Sequence, residues 1–270
     1  PPVLSSARVW VSPQGRNRSA MFFLDATGFF SLISLLIQCA LAWIFAAFFG
    51  TLAAPGQAWL RRLRGAFLGL GIALTALGVR FTLAWQHPSG IRLLRDGEIE
   101  TKLLCGAYLA GKVVYLWFLA AGLQMLAGRT TRLRPVWLAA TIAPAFAIGC
   151  LLPTAELLLL LQVPFVVAVV LGCARSLLRS SELRFTHDGA NAWRRVLIRV
   201  LVLTAVVWTS YGIAAVMVGP LVPVPMQPWS ALLRLNSLID LVLQVVLATS
   251  LIVLALHDAH GEVVRALRER

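Results

Sequence analysis

Seven apolar runs divide this chain, at about residues 29–52, 65–85, 103–126, 135–152, 157–174, 196–218 and 235–257. A helix crosses the hydrocarbon layer of a bilayer with roughly 20 apolar residues. The runs therefore read as membrane-spanning helices. The expected fold is an all-α integral membrane protein, a bundle of seven transmembrane helices. The fourth and fifth runs are the shortest, and Pro153 in "LLPTAELL" predicts a tight turn between them.

Composition closes off a soluble alternative. Hydrophobic residues make up 59% of the 270 residues and charged residues 13%, with a mean hydropathy of +0.83. A soluble domain of this size needs more charge at its surface. The net charge of +13 first suggests nucleic acid. Its carriers, however, sit in short clusters between the apolar runs, where they set orientation and meet anionic lipid. No nucleic-acid-binding motif is present, so the expected partner is the bilayer.

Those clusters orient the chain. Fourteen basic residues fall on one side: Arg61, Arg62 and Arg64; Arg129, Arg132 and Arg134; Arg175, Arg179, Arg184, Arg194 and Arg195; and Arg265, Arg268 and Arg270. Only four, Arg92, Arg95, Lys102 and Arg234, fall opposite. The positive-inside rule places the fourteen in the cytoplasm, with the N-terminus outside and the C-terminus inside. Arg8, Arg16 and Arg18 oppose this, and Met21 stands just before the first run. Residues 1–28 are accordingly read as a disordered tail or, over 1–20, an upstream reading-frame extension. Trp59, Trp85, Trp137, Trp193 and Trp229 lie near run ends, where an indole prefers the membrane interface. The loop "GPLVPVPMQP", outside by this topology, has four prolines and reads as stiff and extended.

Much chemistry is missing. His87, His187, His257 and His260 lie in loops or at a helix exit, so paired haem ligands within a span are absent. HExxH and GxSxG do not occur. The last run has no lysine for a retinal Schiff base. Cys39, Cys105, Cys150 and Cys173 form no CxxC pair and read as small buried residues, although Cys105 and Cys150 both fall near the outer face. No metal, cofactor or catalytic residue is assigned.

One polar stripe stands out. Asn236, Asp240 and Gln244 are four residues apart on the last helix and share a face. Topology brings Asp240, Lys112 and Arg80 to similar depth. An ionised group in hydrocarbon turns inward and finds a partner, so Asp240 pairs with Lys112 or Arg80. This cluster is either a packing element or a ligand- or ion-sensing site. Gln38, Gln124 and Gln162 read as interhelical hydrogen-bond partners.

The last run continues past the membrane. Leu256, His260, Val263 and Leu267 follow a 4-3-4 spacing, a short heptad seam. An amphipathic helix on the lipid surface is the alternative. The segment "RLNSLIDLVLQVVLATSLIVLALHDAHGEVVRALRER", with Asn236, Ser237, Asp240 and Asp258, resembles the last transmembrane helix and linker of bacterial membrane-bound sensor histidine kinases and related diguanylate cyclases. The resemblance covers about 35 residues. It implies a sensor domain over 29–257, a cytoplasmic linker helix over 258–270, a homodimer in the bacterial inner membrane, and as partner a cytoplasmic output domain of the same chain or a response regulator. No phosphorylated-histidine, ATP-lid or GGDEF-like motif is present. The rival expectation is a small polytopic transporter or channel subunit using Arg80, Lys112 and Asp240.

Overall fold

The computed structural model of the protein describes residues 14–53, 57–85, 99–129, 135–152, 155–180, 188–218 and 235–268. The acidic segment around Asp96 and Glu98, the proline-rich loop, Pro153, and residues 1–13 lie outside the described residues. Every described element is a helix: α1 (Gln14–Leu52), α2 (Ala58–Trp85), α3 (Ile99–Leu126), α4 (Pro135–Leu151), α5 (Ala155–Arg179), α6 (Asp188–Val218) and α7 (Asn236–Arg268).

Six of these are long and apolar enough to cross a membrane, over Phe30–Leu52, Ala58–Thr82, Ile99–Leu126, Leu158–Arg179, Ala192–Met217 and Asn236–Gly261. The apolar part of α4, Val136–Leu151, is shorter. The chain is thus a multi-pass α-helical membrane protein. Its helices overrun the apolar runs. α2 starts at Ala58 and α6 at Asp188, each before the apolar run within it. Hydropathy marks the part of a helix that lipid can cover, whereas backbone hydrogen bonding sets where it ends. Ahead of their apolar runs α2 carries Arg61, Arg62 and Arg64, and α6 carries Arg194 and Arg195.

Packing closes a ring. α1 packs on α2, α2 on α3, α3 on α5, α5 on α6, α6 on α7, and α7 back on α1. α4 lies outside this ring, against α3. Small residues let the backbones approach, the usual device where lipid supplies no hydrophobic driving force between helices. A methyl group added at Gly111 would stand 2.7 Å from the Gly69 carbonyl oxygen, between α3 and α2. One added at Gly149 would stand 2.7 Å from the Cys105 carbonyl oxygen, between α4 and α3.

Helices that follow one another in the chain run antiparallel, whereas the ring neighbours α3 and α5 run parallel. In α1 and α2, Trp43 lies over Gly71 and Arg64 over Gly50. In α2 and α3, Leu63 faces Gly122 while Gly69 faces Gly111. α4 returns antiparallel to α3, with Cys150 beside Gly106. α5 and α6 are antiparallel, Val163 meeting Gly212 and Arg194 reaching Leu177. The arginine-bearing ends of α2, α5 and α6 consequently gather at one end of the bundle. Arg194 there donates to the carbonyls of Leu177, Leu178 and Ser180, satisfying acceptors that α5 leaves open at its C-terminus.

The apolar core inside the ring is built on Phe49, Phe67, Leu119, Leu177, Leu201 and Leu251, all essentially inaccessible. Phe49 stacks on Phe67 with ring centroids 5.4 Å apart. The outer faces carry Phe30, Ile44, Phe165, Leu203 and Val242, exposed as a lipid-facing surface requires.

Candidate functional site: a polar cavity inside the helix ring

Asp240 lies one turn into α7 and faces the middle of the ring. A cavity of about 60 Å³ opens there, lined by all six ring helices. Gln38 of α1, Lys112 and Tyr115 of α3, Thr204 and Trp208 of α6, and Asp240 and Gln244 of α7 supply its polar side chains. A void of this size holds a few waters when polar groups line it.

Lys112 and Asp240 both line this space. Among the described residues no ion pair joins them. The Lys112 ammonium instead sits over two aromatic faces, 5.3 Å from the Trp208 ring centre and 5.9 Å from that of Tyr108. Ring faces attract a cation electrostatically, most of all when water is excluded. Among the described residues its N–H groups make no hydrogen bond, and the side chain borders this void. The Asp240 carboxylate likewise takes no direct hydrogen bond among the described residues. Two opposite charges facing one small polar void can exchange a proton, bind an ion, or hold bridging water.

The stripe residues have distinct roles. Gln244 is buried and donates from Nε2 to the Gln38 carbonyl, 3.2 Å away. Gln38 donates from Nε2 to the Ser237 carbonyl. These bonds lace α1 to α7 on either side of Asp240. Asn236 contributes its backbone carbonyl, which accepts from the Tyr211 hydroxyl at 3.2 Å, and its Oδ1 accepts from Ser237 at 3.3 Å. Arg80 is buried in α2 but does not line the cavity. Lys112 lines the cavity together with Asp240. Gln162 accepts from the Tyr108 hydroxyl at 3.1 Å, joining α5 to α3.

Trp208 and Tyr115 belong to this site and were not singled out from the sequence. A signal existed for Trp208. It falls in the interior of an apolar run, as Trp43 and Trp117 do, and not near a run end as Trp59, Trp85, Trp137, Trp193 and Trp229 do.

The far end of α7 is also engaged. Asp258 accepts from the Trp59 indole at 3.2 Å, which ties the end of α7 to the start of α2. α7 then runs unbroken to Arg268. Of the linker positions, Leu256 and His260 are exposed, while Val263 and Leu267 continue the helix with side chains outside those described. None of the four cysteines is in a disulfide.

A second cavity, of about 620 Å³, lies outside the ring between α3, α4 and α5. Its walls are apolar except for Lys112, Gln124, Thr141 and Gln162. Lys112 borders both cavities.

No protein-family model, curated protein or solved structure matches this chain.

Proposed function

We propose that this chain is the membrane-embedded sensory module of a dimeric bacterial signalling protein in the inner membrane. In this reading seven helices cross the bilayer, α4 included, with the N-terminus outside and the C-terminus in the cytoplasm. The Lys112–Asp240 cavity receives the signal, and α7 relays it to a cytoplasmic output domain, a histidine kinase that addresses a response regulator. The supporting observation is that one helix carries both ends of the relay. Asp240 and Gln244 line the cavity, and the same unbroken α7 passes Asp258 and continues to Arg268. A rigid helix passes a small rotation or shift at one end directly to the other. Ligation or protonation at Asp240 would change its balance with Lys112 and so bias the position of α7.

Cysteines placed singly at Val263 and Leu267 test the relay. In membranes they should cross-link between protomers, and Asp240→Asn should change the extent of cross-linking. Cross-linking that is absent, or equal at positions around the whole helix, would refute a dimeric signalling linker.

A transporter or channel subunit is the second reading. The fact that Lys112 borders both an internal cavity and one outside the ring favours it, since a carrier needs a charged group that two compartments share. Ion or solute flux in proteoliposomes that disappears in Asp240→Asn would establish it in place of the relay.

A further inference from the structure

The cavity outside the ring has the form of a lateral binding cleft. α4 packs along α3, but α4 and α5 do not form a comparable seam, so the two stand apart over the α3 surface. Along α3 the lining extends from Leu109 to Gln124, about 22 Å at the helical rise of 1.5 Å per residue. The cleft is thus long and narrow. Its volume of about 620 Å³ suits a small-molecule site. Ala120, Ala121 and Ala140 line it, and their small side chains keep it open along its length. Phe165, which also lines it, is 62% exposed, an apolar wall turned to the bilayer.

Its polar groups are placed unevenly. Lys112 and Gln162 both line the end to which Leu109 and Ile148 belong, and Gln124 lies toward the other. Lys112 spends no N–H on a hydrogen bond among the described residues. Gln162 uses its Oε1 for Tyr108, and its amide N–H groups remain available. One cation and one amide donor converging at the end of an apolar slot match a group that only accepts hydrogen bonds and carries negative charge.

We propose that this cleft binds a long-chain lipophilic carboxylate, which enters from the bilayer between α4 and α5. The carboxylate lies at Lys112 and Gln162 and the chain runs along α3 toward Gln124. The anion approaches Lys112 from the side opposite Asp240 and competes with it for the ammonium. This goes beyond the relay reading. Binding is measured on the chain alone, so its failure and the failure of the relay are separable.

The test uses the full chain in phosphatidylcholine nanodiscs with palmitate carrying a mid-chain diazirine. Illumination should label peptides of α3, α4 and α5 saturably. Excess palmitate should displace the probe, and hexadecanol should do so at least tenfold less well. Lys112→Met and Gln162→Leu should each weaken labelling at least tenfold, and Ala140→Trp should abolish it by filling the slot. Thermal unfolding of each variant identifies any that fails to fold, and the remaining variants then decide. Labelling spread evenly over α1 and the other lipid-facing helices would overturn the proposal, as would equal displacement by the alcohol. An unlabelled cleft in a particle holding two copies would mean that a second chain covers it, which also overturns the proposal.

Discussion

The Trp59 indole donates to the Asp258 carboxylate across 3.2 Å, and this bond fastens the end of α7 to the start of α2. Trp59 is buried, whereas Asp258 is partly exposed. The bond therefore forms where water still competes, and it acts more as a positioning clamp than as a source of stability. Trp59→Phe retains the apolar ring and removes the donor. We expect a loss of about 1 kcal/mol, a fall of a few degrees in the thermal midpoint of the purified protein. Cross-linking of cysteines at Leu256 should become less selective. An unchanged midpoint and unchanged cross-linking would show that the clamp holds nothing.

The Lys112–Asp240 pair invites a double-mutant cycle. Asp240→Asn keeps the shape and removes the counter-charge of a lysine that only ring faces then hold. It should destabilise the fold by about 1–3 kcal/mol, below the range for breaking a direct buried pair because no direct ion pair is formed. Lys112→Met added to it should restore much of the loss. Losses that simply add would show that the two charges do not interact.

Trp208 holds Lys112 through its ring face. Trp208→Leu removes that face and should cost more than Trp208→Phe, which keeps a weaker one. Replacing Lys112 with Met beforehand should shrink the difference between the two variants. Chemical denaturation in detergent reads all four proteins, and a difference that persists in the Met background would assign Trp208 to packing alone.

Gln244→Leu removes one hydrogen bond between α7 and α1. Bonds of this kind between membrane helices contribute about 0.6 kcal/mol on average and up to about 1.7 kcal/mol. A loss within that range is expected, with α1–α7 cysteine cross-links preserved. Loss of those cross-links would mean that this bond, and not the apolar seam around it, holds the ring closed.

Two glycines test the packing of α4 and α3. Gly149→Ala drives a methyl group to 2.7 Å from the Cys105 carbonyl oxygen, a clash the backbone must relieve by moving α4 off α3. Gly172→Ala meets nothing within 4 Å and serves as the matched control. We expect Gly149→Ala to destabilise by about 1–3 kcal/mol and Gly172→Ala to leave the midpoint unchanged. Equal behaviour would mean that α4 does not pack on α3 as described here.

Hydropathy made the helices legible, because a run of apolar side chains has the same consequence in any bilayer. The alternation of basic loops was legible for a related reason, since arginine clusters report which ends share a side. The polar stripe was legible too. Asn236, Asp240 and Gln244 fall on one helical face by spacing alone, and depth counted from the helix ends narrowed the partner of Asp240 to Lys112 or Arg80. Depth could not choose between them, because both lie at similar distances from the membrane edge. The choice depends on rotation about the helix axis and on which helix lies opposite. Those follow from where Gly69 and Gly111 let α2 and α3 touch, and from the closing of α7 onto α1 by Gln38 and Gln244. Only the tertiary structure decided that α4 stands outside the ring. Its apolar residues look like those of any other run, and nothing local in them records that α3 is its neighbour. The lateral cleft follows from that one placement. It is a gap between helices, and a gap has no residues of its own for a sequence to show.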